Sequence, residues 1–137
     1  MATDNLFGDF ANSWTELHLN ALAAVFAMIA CCDHDAHPAE RARFIETAHN
    51  NPLLRNIPFE VLADKFASVS FEFLRDYEGA WKKYLSVIED ARRSGLSADE
   101  VINAAQIAIV SDNKVHPTEE AVLLKLVKDL SLQYKDV

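Results

Sequence analysis

From Ala21 to Cys32 the chain runs Ala-Leu-Ala-Ala-Val-Phe-Ala-Met-Ile-Ala-Cys-Cys, without one polar side chain. As a helix this stretch rises about 1.5 Å per residue, well short of the roughly 30 Å needed to cross a bilayer. A helix that is apolar on nearly every side belongs inside a protein, enclosed by other elements. Ser13 followed by Glu16 reads as a capping box, so the sequence predicts a central buried helix over 14–32. Met28-Ile29-Ala30-Cys31 superficially resembles a lipoprotein cleavage site, yet no basic residue precedes Arg41. The run is therefore read as core, and no direct membrane insertion is expected.

The rest of the chain supplies the elements that could enclose such a helix. Half of its 137 residues are hydrophobic, with only 3 glycines and 4 prolines, which favours helices over a turn-rich β fold. Pro38 opens a helix with Phe44, Ile45 and Ala48 on its buried side, ended by Asn50-Asn51-Pro52. Pro58 opens another, with Phe59, Leu62, Phe66, Val69 and Phe73 at helical spacing. A fourth carries Tyr77, Trp81, Tyr84, Leu85 and Ile88 and stops at Gly95. Ser97 and Glu100 form a second capping box, opening a strongly apolar helix over 98–111. Pro117 opens the last, with Val122, Leu123, Leu126, Val127 and Leu130 inward. Nothing in the series reads as a linker, so residues 1–137 are expected to form a single all-α, multihelical domain. The aromatic stripes are read as core rather than as a cofactor pocket.

Charge narrows the possible partners. With 21 acidic and 13 basic residues the formal net charge is −8, which repels phosphate backbones and excludes nucleic acid as a partner. It attracts cations or basic protein surfaces. Cys31 and Cys32 are neighbours that point in different directions in a helix, so no ordinary disulfide joins them. They are expected to stay reduced as small buried hydrophobes in a cytoplasmic protein, although paired thiols could also hold a soft oxyanion.

A repeat carries most of the functional information. Ile29-Ala-Cys-Cys-Asp33-His-Asp-Ala-His37-Pro38-Ala-Glu40 recurs as Ala108-Ile-Val-Ser-Asp112-Asn-Lys-Val-His116-Pro117-Thr-Glu119. Both copies read Asp-x-x-x-His-Pro-x-Glu, between a very apolar helix and an amphipathic one. The repeat elements, around 14–49 and 97–132, predict a pseudo-two-fold arrangement with two buried central helices. Helix chemistry accounts for His-Pro at a helix start and for a glutamate near the positive end of its dipole. Asp33 and Asp112 differ, because they fall at helix C-termini, where a negative charge meets the negative end of the dipole. A divalent cation is one compensating charge, taking oxygens from Asp33, Asp35 and Glu40 in one loop and Asp112 and Glu119 in the other. Helix capping with solvated charge is the other reading, and spacing alone leaves both open. The spacing is not that of an EF-hand, whose loop is longer and needs a central glycine. His18, His34 and His49 lack partners at ligand spacing, and no nucleophile–base arrangement stands out, so no enzyme is expected.

With these elements the chain resembles the TerB family of tellurite-resistance proteins, whose members carry a duplicated Asp-Gly-x-(apolar)-x-x-x-Glu element after an apolar helix. The resemblance spans roughly residues 14–133 and includes the aromatic segment at Phe71-Glu-Phe and the Tyr84-Leu-Ser-Val-Ile helix. It implies an all-helical domain in which Asp33, Glu40, Asp112 and Glu119 bind a divalent metal ion. It also implies a role in tellurite resistance and chemical stress, beside other Ter-type proteins, some of them membrane-embedded. The family glycine is His34 in the first element and Asn113 in the second, and the apolar position is Ala36 and Val115. The two functional expectations are a metal-binding stress module acting through its acidic loops and an acidic protein-interaction adaptor with no metal requirement.

Overall fold

The computed structural model describes the backbone of residues 2–32, 38–52, 54–109 and 117–131, and side chains within these for 16–32, 41–52, 54–109 and 118–131. Every regular element among them is helical: α1 (Ala2–Ala30), α2 (Pro38–His49), α3 (Phe59–Arg75), α4 (Tyr77–Arg93), α5 (Ala98–Ile109) and α6 (Pro117–Asp129).

Local chemistry sets most of the boundaries. Pro38 and Pro117 occupy first helical positions, where the missing N–H is no loss. Pro58, extended at φ −59° and ψ 148°, stands just ahead of α3. A single extended residue, Asp76, separates α3 from α4, and its carboxylate accepts from Gly79 N at 3.1 Å. A Cβ on Gly79 would press on that carboxylate, which would have to turn aside to keep the cap. Gly95, at φ 119°, ends α4 in a Schellman turn, with Leu96 N donating to Ala91 O at 2.9 Å and Gly95 N to Arg92 O at 3.1 Å. Ser97 Oγ accepts from Glu100 N at 3.1 Å and starts α5 as the capping pattern predicts.

The apolar run lies where its composition requires. Leu19 and all of Ala21–Cys31 are buried, and α1 packs against each of the other five helices. Around it Phe26 meets Phe44 edge-on at 5.6 Å, and Phe44 stacks on Phe66 at 5.3 Å. On the far side Phe73 stacks on Tyr84 at 5.6 Å and meets Tyr77 at 5.3 Å. Val101, Ile102, Ala104, Ala105, Ala108 and Ile109 bury one side of α5, leaving Asn103 and Gln106 exposed. Trp81 donates Nε1–H to Asp129 at 2.9 Å, and Arg92 donates to Leu130 O at 3.1 Å, fastening the end of α6 to α4.

Three expectations are corrected. The first helix begins at Ala2 rather than near residue 14, and Ser13 lies within it. No proline interrupts 2–13, and Glu16 reaches Lys65 of α3 at 3.1 Å, serving an interhelix ion pair rather than a cap. The same helix stops at Ala30, placing Cys31 and Cys32 in the turn that follows. Phe59, counted in the core stripe, is 55 % exposed, because it is the first residue of α3 and the buried stripe starts one turn later at Leu62. Among the described residues no helix is long and apolar enough to cross a membrane.

Candidate functional site

Each acidic element connects two helices, α1 to α2 in one case and α5 to α6 in the other. Asp33, Asp35 and Asp112 lie outside the described residues. Glu40 is the third residue of α2, in its first turn, with only its backbone described. Glu119 is the third residue of α6 and is 4 % exposed. Among the described residues no three His, Cys, Asp or Glu side chains come together as a metal-holding group. The helices on either side of the two elements do meet: α1 packs on α2, α5 on α6, and contacts across the units join α1 to α5, α1 to α6 and α2 to α5.

Burial of Glu119 is the informative feature. A carboxylate taken out of water needs compensation, since desolvation penalises its charged form. The start of a helix favours such a charge, because its backbone amide N–H groups and the positive end of its dipole face that turn. A hard divalent cation complements the same carboxylate, so the residue fits the group that the resemblance implies.

The fold also assembles polar contacts that spacing did not reveal. His18, read as lacking a partner, is buried and hydrogen-bonds to the carbonyl of Ser94 at the end of α4. Burial lowers its proton affinity below the ordinary 6.5, against the opposing influence of Glu100 and of that carbonyl. Glu72 accepts from Lys83 Nζ at 2.5 Å and from the Tyr84 hydroxyl. Desolvation alone would raise the Glu72 carboxyl, but these donors outweigh it and hold it below the usual range. Burial, then the hydrogen bond to Glu72 and its charge, push the Tyr84 hydroxyl well above its ordinary value. The Tyr77 hydroxyl donates to Met28 O at 2.5 Å. Burial and the neighbouring Cys32 and Cys31 push it upward likewise. Cys31, donating to Ser70 O at 3.8 Å, is buried, Cys32 is half-buried, and neither forms a disulfide. The hydrogen-bonded partners are 11 to 76 residues apart in sequence, so no local periodicity announces them.

Two surface pockets differ in chemistry. One, of about 300 Å³, lies at the α3–α4 elbow, where Glu72 and Asp76 sit beside Arg75 and Lys83. Its charges cancel within its own walls. The other, of about 260 Å³, lies where the end of α2 meets α5 and α1, and Glu100 supplies its one formal charge.

The chain matches the family model described as Tellurite resistance protein TerB over residues 19–137. No curated protein and no solved structure matches it.

Proposed function

The chain belongs to the TerB family of tellurite-resistance proteins, and on that premise we propose that it is a non-enzymatic, cytoplasmic stress-response module that binds a divalent cation through its acidic loops. Asp33, Asp35 and Glu40 serve one loop, and Asp112 and Glu119 the other. The observation that carries this reading is Glu119, a carboxylate buried to 4 % exposure at the family's acidic position. Packing of α1 on α6 and of α2 on α5 supports a pseudo-two-fold relation between the two units. When bound, the cation supplies positive charge to hard oxygen ligands and ties the ends of the helix pairs together. Its partners in this reading are other Ter-type stress proteins, including membrane-embedded ones. The net charge of −8 favours a second reading, an acidic adaptor that docks a basic partner without metal.

Calorimetry and melting curves with calcium, magnesium, manganese and zinc separate the two. A cation that binds the folded state raises the melting temperature by mass action. Asp112→Asn and Glu119→Gln keep side-chain size while deleting an anionic ligand, and each is expected to abolish that rise. In metal-free buffer Asp112→Asn is expected to be neutral or slightly stabilising, because it removes one negative charge from a chain of net charge −8. Wild-type protein that shifts with none of the four cations would leave the adaptor as the function.

A further inference from the structure

The turn that closes α1 gathers both thiols of the chain. The helix stops at Ala30, so Cys31 and Cys32, the two cysteines of the sequence, stand in the turn after it rather than on a helical face. Cys31 N still donates to Ala27 O at 2.8 Å, whereas Cys32 N reaches Ile29 O only at 3.5 Å. Cys31 belongs to the apolar core, and its Sγ donates to Ser70 O of α3 at 3.8 Å. Cys32 is half-buried, so the turn is open to solvent on its side. Both neighbour the hydroxyl of Tyr77, the first residue of α4, which itself donates to Met28 O. Ser70 adds a second polar group to this contact. The residue is 4 % exposed, and its Oγ makes no hydrogen bond among the described residues. A buried donor without an acceptor is costly, and it points to a group that the described side chains do not supply.

We propose that Cys31 and Cys32 together bind a neutral, trivalent, thiophilic hydroxide, of which arsenous acid is the simplest. Thiols are soft ligands, so they select soft centres over the hard cations that suit carboxylates. The number of ligands narrows the choice. Zinc takes four, and among the described residues no third His, Cys, Asp or Glu joins the pair. A trivalent centre bonded to two sulfurs and one oxygen is complete with what the turn offers. Charge decides the form. An anionic oxyanion meets a chain of net charge −8 and an apolar interior, whereas arsenous acid enters without a charge. The exchange conserves charge and oxidation state. Two As–O bonds break and two As–S bonds form, each thiol proton leaves with a departing hydroxide as water, and arsenic stays trivalent. The remaining As–OH gives the Ser70 hydroxyl an acceptor. The Cys31 hydrogen bond to Ser70 O is given up, a small loss because S–H is a weak donor.

The test uses the full-length chain, kept reduced with a phosphine, in neutral buffer containing EDTA. Arsenite, present there as arsenous acid, is titrated in and read by calorimetry and by the near-ultraviolet absorbance of As–S bonds. One equivalent is expected to bind the folded protein and to raise its melting temperature, since a ligand that prefers the native state stabilises it. Because Cys31 and Cys32 are the whole thiol inventory, that stoichiometry assigns both to one centre. Cys32→Ser, at the half-buried position where folding is least at risk, is expected to weaken binding about a hundredfold or more, the effect of losing one of two linked bonds. Ser70→Ala, which deletes only the buried donor, is expected to weaken it about threefold or more. As–S absorbance that appears only in urea, a melting temperature that falls with arsenite, or unchanged binding by Cys32→Ser would each overturn the assignment. EDTA keeps divalent metal from the acidic loops, so the outcome is independent of whether they bind a cation.

Discussion

The second half of α1 and the α3–α4 pair solve different problems with different residues. From Ala21 to Cys31 every side chain is buried, and packing encloses the segment, joined by hydrogen bonds from Tyr77 to Met28 O and from Cys31 to Ser70 O. The α3–α4 pair is two-sided. It buries Leu62, Phe66, Phe73, Trp81 and Ile88 and leaves Val61, Phe71 and Leu74 in water. It carries a polar link, Glu72 with Lys83 and Tyr84, across its outer edge. The contrast teaches that the stretch most legible as structure is the least informative about function. A uniformly apolar helix offers a ligand nothing, whereas amphipathic helices expose polar groups that an elbow or a neighbour can gather.

Replacing an aromatic ring in each region sets the scale of that difference. Phe26→Ala removes a fully buried side chain against Phe44 and leaves a cavity, with an expected loss of about 3–5 kcal/mol in urea unfolding. Phe71→Ala, at a position 63 % exposed, is expected to stay within about 0.5 kcal/mol of wild type. Comparable losses at the two sites would mean that the exposed face of α3 is covered in solution.

Tyr84→Phe sharpens the comparison on the polar side. It deletes the hydroxyl bound to Glu72 and is expected to cost about 1 kcal/mol, reduced because the Glu72 side chain is one-third exposed. Glu72 is held below its ordinary value of 4.5, so its contribution is complete above that pH and is lost as pH falls through the depressed folded value. The variant should therefore show a shallower acid loss of stability than wild type, measured by melting temperature against pH.

The smallest effect is expected from His18, a buried histidine of α1. The folded state prefers it neutral, so stability is complete above about pH 6.5 and declines as pH falls toward its lowered folded value, then levels off. Glu100 and the Ser94 carbonyl oppose burial and keep the decline modest. His18→Gln keeps a donor for Ser94 O and should flatten the profile below about pH 6.5. An unchanged slope would locate the titration at another group.

What the sequence determined by itself is local. Pro38, Ser97, Pro117 and Gly95 mark helix ends because a missing N–H, a capping hydroxyl and a left-handed backbone act within one turn of the chain. The twelve apolar residues from Ala21 required enclosure wherever the other helices went. The same local rules misplaced the start of α1, since a serine and a glutamate at capping spacing look alike inside a helix and at its end. Tertiary structure decided the rest. Whether Phe59 is covered or Glu119 is buried depends on which neighbour passes over one turn of helix. The meeting of His18 with Ser94 and of Tyr77 with Met28 depends on how α1 crosses the others. Those crossings are fixed by interlocking side chains on facing helices, a property of pairs of surfaces that no single stretch of sequence contains.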